Sequence, residues 1–274
     1  MNRQAVRRSF DRAAPRYDTA AALQRQVCEL LLAALPDPGP ATILDAGCGT
    51  GHALGLLGRR WPGAHIVAAD FAPGMLRVAG RRHPLVCADI EALPFAPAGF
   101  DLYWSSLTFQ WCDPFRAASE AARVLAPGGM LAVSSLAPGT LKELDAAFSG
   151  IDDHRHVLEF APAEALADAC AAAGLIDIRV ERRPLKLHYP DLATLLRALK
   201  ALGAHQLGQD GARRRPGLMG RRTWQTVEAR YEAHRDNAGL PATFEVILCL
   251  ANKPSGETRW AAPSVSRPPG GRMP

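Results

Sequence analysis

The sequence predicts an α/β protein built on a mostly parallel, doubly wound sheet. Three observations predict it. Apolar segments of strand length alternate with amphipathic segments of helix length. A glycine-rich stretch, "LDAGCGTG" at 44–51, stands directly behind the first apolar segment. The chain has 274 residues, 48% hydrophobic and 22% charged, the balance of an ordinary globule with room for one large domain.

The elements follow in order. "AAALQRQVCELLLAAL" (20–35) is an amphipathic helix ended by "PDPGP", and "ATILDAG" is a buried strand. "HALGLLGRRW" is a helix stopped at Pro62, "HIVAAD" the second strand, "PGMLRVAGRR" a helix and "LVCAD" a short third strand. "FDLYWSS" is the fourth strand, "PFRAASEAARVL" a helix, and "GMLAVSSL" the fifth strand after an "APGG" turn. "PAEALADACAAAG" is a helix, "LIDIRVERR" the sixth strand and "ATFEVILCLANK" a long late strand. Two segments interrupt the alternation, 138–161 and 184–241. The second contains "DLATLLRALKAL", with Leu192, Leu195, Leu196, Leu199 and Leu202 on one face, and "TWQTVEARYEAHRDNAG". Insertions at the rim of such a sheet are natural lids. The chain is therefore divided into one domain over 1–252, with a core at 40–183 and 242–252 and lid elements at 1–20, 138–161 and 184–241. Residues 253–274, rich in Pro and Gly, are expected to be a disordered tail.

Several classes are excluded at this level. No apolar run approaches the roughly 20 residues needed to span a bilayer. The polar, acid-containing start is no secretory signal, so a cytoplasmic location is expected. The six cysteines, at 28, 48, 87, 112, 170 and 249, lack paired C-x-x-C spacing and read as reduced thiols. Net charge is +5, but 179–235 holds thirteen Lys or Arg against five acids, a local +8 that leaves −3 elsewhere. That asymmetry suits an acidic partner near the C-terminal third.

The loop after the first strand narrows the ligand. Glycines let backbone approach a ligand closely, and the loop feeds a helix N-terminus that favours negative charge. A dinucleotide loop reads G-x-G-x-x-G, whereas here Gly47, Gly49 and Gly51 alternate and His52 follows. Asp45 would repel a diphosphate but suits an ammonium group. S-adenosylmethionine carries an ammonium, a carboxylate for the loop amides, and no phosphate. Asp70 ends the second strand, 19 residues beyond Gly51, where a carboxylate can grip ribose hydroxyls. Asp89 ends the third and can accept from the adenine amino group, with Met75 and Ile90 on the two adenine faces. Ser105, at the end of the fourth strand, completes the expected cofactor set.

With these residues in place, "ILDAGCGTG", "VAADFAPGML", "CADIEALPF", "FDLYWSS" and "RVLAPGGMLAVS" resemble the successive motifs of the Rossmann-like S-adenosylmethionine-dependent methyltransferases. The resemblance covers roughly 40–137. It implies a seven-stranded, mostly parallel sheet flanked by helices, with a reversed last strand, a helical lid insertion before that strand and an N-terminal helical lid. "SFDRAAPRYD" resembles that N-terminal lid, with Tyr17 near both cofactor and acceptor. The Gln110-Trp111 pair resembles carboxyl methyltransferases and is expected to meet the acceptor. "LAPGTLKELDAAF", "DDHRHVLEF", "LKALGAHQL", "GLMGRRTWQ" and "GLPATFEVI" together resemble a narrower family, the malonyl-[acyl-carrier protein] O-methyltransferases of biotin synthesis, from about Arg8 to Lys253. The resemblance implies an acidic acyl carrier protein, or coenzyme A, bearing a malonyl thioester.

A malonyl carboxylate, with a pKa of about 4, is already ionised at neutral pH and needs no base. No catalytic acid or base is therefore assigned. An arginine fork suits such a carboxylate. "GRRTW" offers Arg221 and Arg222, one of which is favoured, and "DDHRH" offers His154, Arg155 and His156. Asp152, Asp153, His154 and His156 could also be read as metal ligands, but His at i and i+2 share a face only on a strand, and no metal is assigned. Competing readings are methylation of a quinone precursor or other small carboxylate or phenol, a cofactor-binding regulator without turnover, and an RNA substrate. No recognised nucleic-acid or membrane-binding motif supports the last kind of partner.

Overall fold

The protein is described by a computed structural model over residues 3–37, 39–152, 155–202 and 220–255. Residues 256–274 of the tail expected over 253–274, residues 203–219 of the lid insertion, and Asp153 and His154 lie outside the described residues, whereas Lys253 is hydrogen-bonded to the backbone of Gly128 and Gly129.

The chain opens with helix α1 (Arg3–Ala13), a 3-10 turn at Ala14–Arg16, the short α2 (Tyr17–Ala20) and α3 (Ala22–Ala33). Then follow β1 (Thr42–Ala46), α4 (His52–Arg60), β2 (His65–Asp70), α5 (Pro73–Ala79), β3 (Leu85–Cys87) and β4 (Phe100–Ser106). A second 3-10 turn, Phe109–Trp111, precedes α6 (Pro114–Val124), β5 (Leu125–Leu136), α7 (Lys142–Phe148) and α8 (Ala163–Ala172). The chain closes with β6 (Ile176–Tyr189), α9 (Leu192–Ala201), α10 (Arg221–Glu232) and β7 (Leu240–Asn252). Among the described residues, no helix is long and apolar enough to cross a membrane.

The strands form one seven-stranded sheet in the order β3-β2-β1-β4-β5-β7-β6. β1 to β5 pair in parallel, whereas β7 runs antiparallel between β5 and β6. The chain order reverses at β1, so β1 and β4 open a crevice at their C-terminal ends, where ligands of this architecture sit.

Side chains alternate across the strands and divide the core into two layers. Ile43 and Leu102 face one way, with Leu31 of α3 and Leu57 of α4. Leu44, Tyr103 and Leu131 face the other, against α6 and α8. Ile43, Leu44, Leu31, Leu57 and Leu102 are all fully buried, and each such side chain contributes roughly 1.5–3 kcal/mol. Local signals set two of the helix starts. Asp113 accepts from Phe115 N and Arg116 N ahead of Pro114, and Asp191 accepts from Thr194 N at 2.6 Å.

One strand runs further than its sequence suggests. The sixth strand was expected to end at Arg183, with lid beyond it, but β6 continues to Tyr189, paired with β7 throughout. Pro184, opposite Glu245, does not break it, because β6 is an edge strand and proline's missing donor is tolerated there. Its exposed Arg and Lys residues discourage further strand pairing.

Candidate active site

The loop after β1 is shaped by positive backbone angles. Gly47, Gly49 and Gly51 have φ of +82°, +54° and +86°. Gly47 N and Cys48 N donate to Ala69 O at 2.7 and 3.0 Å, which ties the loop to β2. A methyl group on Gly47 would stand 2.2 Å from Thr108 Oγ1, whereas one on Gly49 would meet nothing within 4 Å. Gly49 thus faces open space.

That space is a pair of adjoining cavities of about 410 and 300 Å³, which share Tyr17, Gln24, Gly47, Gly49 and Ser106. The smaller is lined by Asp45, Thr50, Gly51 and His52. The larger runs past Asp70, Met75, Asp89 and Ile90 to Gln110 and Trp111. Beyond these it continues between apolar walls that include Leu144, Phe148, Leu196, Leu199, Trp224 and Phe244.

The acids at the strand ends have different surroundings. Asp45 is 1% exposed, and its Oδ2 has no hydrogen-bond partner among the described residues. Burial, and then the charge of Asp70, push its pKa up to about 8. Asp70 accepts from Gly49 N at 2.9 Å and Ala72 N at 2.8 Å. These bonds oppose the effect of burial, which prevails and raises its pKa to about 6. Asp89 accepts from Glu91 N and is ion-paired with Arg3 of α1, which also pairs with Glu91.

The N-terminal helices close over this crevice. Asp11 accepts from Gly74 N at 2.6 Å, and Thr50 donates to Asp18 at 2.6 Å. Phe10 meets Trp111 edge to face, with ring centroids 5.4 Å apart, and also touches Tyr17 and Phe71. The Tyr17 phenol is held well above its ordinary pKa by burial, with Asp70 adding to it, so it stays a neutral donor. His52, at the start of α4, is pushed down by burial and by Arg25.

Most residues nominated from the sequence come together here: Tyr17, Asp45, the three glycines, Asp70, Met75, Asp89, Ile90, Gln110 and Trp111 line one or both cavities. Four nominations do not. Ser105 is fully buried and donates to Ala46 O at 2.6 Å, whereas its neighbour Ser106 reaches both cavities. The alternation of β4 explains the one-residue difference. Arg155 is exposed and paired with Glu159 at 2.8 Å. Arg221 and Arg222 are exposed in the first turn of α10. None of these three arginines is among the described lining residues. The sequence reading missed Arg3, Ser106 and Lys200, which line the larger cavity, as does His156, which it offered alongside Arg155. Lys200 falls on the same Leu-rich helix that the reading had identified, but nothing local marked its direction.

The family described as "Methyltransferase domain" matches residues 44–133. The malonyl-[acyl-carrier protein] O-methyltransferase of Dechloromonas aromatica is 49% identical over 248 residues, 90% of this chain and 94% of that protein. The protein of that name from Herminiimonas arsenicoxydans is 44% identical over 247 residues, 89% of this chain and 94% of that one. The biotin biosynthesis bifunctional protein BioHC of Cellvibrio japonicus is 40% identical over 93% of this chain, which spans 51% of that longer protein. Among solved structures, a SAM-dependent methyltransferase of Thermotoga maritima shares the fold, with a TM-score of 0.55 over 90% of this chain and 99% of that one at 18% identity. Fold, glycine loop and relatives define a methyltransferase of the doubly wound α/β class. Within that class, the chain belongs to the malonyl-[acyl-carrier protein] O-methyltransferase family.

Proposed function

We propose that the protein moves a methyl group from S-adenosylmethionine to the free carboxylate of a malonyl thioester, carried by an acidic acyl carrier protein, and so forms a methyl ester for biotin synthesis. The observation that carries this reading is the buried, unpartnered Asp45 Oδ2 beside an open glycine loop. An ammonium group fits that carboxylate and a diphosphate does not. S-adenosylmethionine, when bound, supplies a methyl group on a positively charged sulfur. Asp45 and the loop would hold its amino-acid end in the smaller cavity. Asp70 has oxygen lone pairs left for ribose hydroxyls, and Met75 and Ile90 would flank the adenine.

The apolar walls of the larger cavity suit the acceptor chemistry. A carboxylate and a sulfonium lose their charges as they react, so a dry site favours the transition state over the hydrated ions. Alignment of oxygen, carbon and sulfur can be worth about 7–11 kcal/mol without an acid or base. The test is transfer of labelled methyl to a malonyl-carrier protein, with recovery of a base-labile ester. Binding of S-adenosylhomocysteine without any such transfer would reject the reading, and activity on a quinone precursor alone would replace it.

A further inference from the structure

The segment after α7 returns to the acceptor end of the larger cavity. There His156 Nε2 lies 2.9 Å from Asp152 Oδ1. The imidazole stacks on Phe148, with centroids 3.7 Å apart and planes 15° from parallel. His156 lines the cavity and its side chain is 21% exposed. Among the described residues, the lining side chains able to carry positive charge are Arg3, His156 and Lys200, with Arg25 and His52 in the smaller cavity, where Arg25 donates to Asp18 O. Arg3 is engaged by Asp89 and Glu91. Lys200 is exposed, in the last turn of α9, on a long flexible stem. His156 is held in one orientation, by a ring beneath it and a carboxylate beside it.

We propose that His156, oriented by Asp152, is the subsite that holds the acceptor carboxylate. This deepens the functional reading above and rests on it. With Nε2 engaged by Asp152, Nδ1 is the nitrogen left for the substrate. A doubly protonated ring would donate one N–H to each carboxylate, and Asp152 fixes its orientation. Asp152 is thus a positioning residue.

The charges explain why such a pair serves better here than an arginine would. In the reaction a carboxylate oxygen lone pair forms the new O–CH₃ bond. The S–CH₃ bond breaks, its electron pair stays on sulfur, and no proton moves. The sulfonium and carboxylate charges vanish together. An imidazolium–aspartate pair remains compensated afterwards, whereas a lone arginine would be left as an unpaired cation in an apolar chamber. The neutral ester has little hold on the pair and leaves. Because the carboxylate charge already shrinks in the transition state, the contact is stronger in the ground state. Its removal therefore raises KM without lowering kcat.

The experiment compares His156→Phe, which keeps the ring stack, with His156→Gln, which keeps a donor but no charge, and with Asp152→Asn. Lys200→Met is the control. We expect KM for malonyl-carrier protein to rise about tenfold or more in His156→Phe and less in the other two, the loss of a charged hydrogen bond. The kcat values should stay within about twofold of wild type, since the contact is not strengthened in the transition state. Calorimetric affinity for S-adenosylhomocysteine should be unchanged, which reports that the fold and the cofactor site are intact. A collapse of kcat with KM unchanged would overturn the proposal in favour of a general base for a neutral acceptor. So would unaltered kinetics in all three variants, or a KM effect confined to Lys200→Met. Wild-type protein that binds S-adenosylhomocysteine but methylates no malonyl thioester would overturn the functional reading itself. Against an active wild type, the variants judge the subsite alone.

Discussion

Asp45 is the residue on which the cofactor reading turns. Its pKa stands at about 8 in the ligand-free protein, against an ordinary 3.8, and that of Asp70 at about 6. The folded state therefore holds protons that the unfolded chain releases. Stability from these groups is complete below the ordinary carboxylate range and is lost as pH rises through about 6 and then about 8. Ligand-free protein should melt at a lower temperature at pH 8.5 than at pH 6.5, to be checked by calorimetry. An arriving ammonium makes the Asp45 carboxylate favourable, so binding at pH 7 should release about one proton. Titrations with S-adenosylhomocysteine in phosphate and in Tris buffer would differ in apparent enthalpy by that amount. Identical enthalpies would show that Asp45 is already ionised. The glycines offer a second contrast. Gly47→Ala places its methyl group against Thr108 and should lower the melting temperature clearly. Gly49→Ala meets no neighbour and carries only the left-handed strain, about 1–2 kcal/mol. It should fold yet lose S-adenosylhomocysteine affinity tenfold or more, roughly the loss of one charged hydrogen bond where backbone must approach the ligand.

At the scale of elements, α1 and α2 act as a strap across the crevice. Its fastenings include Arg3 to Asp89 and Glu91, Asp11 to Gly74 N, and Thr50 to Asp18. Phe10 packs among Tyr17, Phe71 and Trp111 beneath it. Because the strap lies on the rim and not in the sheet, loosening it should affect ligand escape more than global stability. Asp11→Ala should speed S-adenosylhomocysteine release about tenfold in stopped-flow measurements, the value of one charged hydrogen bond. Gly74→Ala should act likewise, since its methyl group would come within 2.9 Å of the Asp11 carbonyl and carboxylate oxygens. Release rates unchanged in both would mean that the strap does not gate the site.

For the whole molecule, the informative quantity is where the charge lies. The basic excess of 179–235 falls, among the described residues, on β6, α9 and α10, of which α9 and α10 help line the larger cavity. Exposed charges of one sign steer an oppositely charged partner and are screened by salt over about 8 Å at physiological ionic strength. The value of kcat/KM with a malonyl-carrier protein should therefore fall steeply between low and high salt. A malonyl thioester on a short neutral thiol should lose little. Parallel salt profiles for the two substrates would remove the carrier protein from the interpretation.

The sequence by itself determined the layout of the sheet and placed the glycine loop and its neighbouring acids at one edge of it. Strand ends, the glycine loop and the acids beside it are local features, and a doubly wound sheet brings successive strand ends to one edge whatever the lids do. Asp45, Asp70 and Met75 could therefore be named from position alone. Only the tertiary structure decided which residues line the larger cavity. Which of two adjacent serines faces the crevice depends on the phase of β4, which "WSS" leaves open. How far β6 runs depends on its pairing with β7. Whether Arg155 or His156 meets the cavity depends on how the segment after α7 folds back onto Phe148. A side chain one residue from another points elsewhere, and only packing against distant parts of the chain sets that direction.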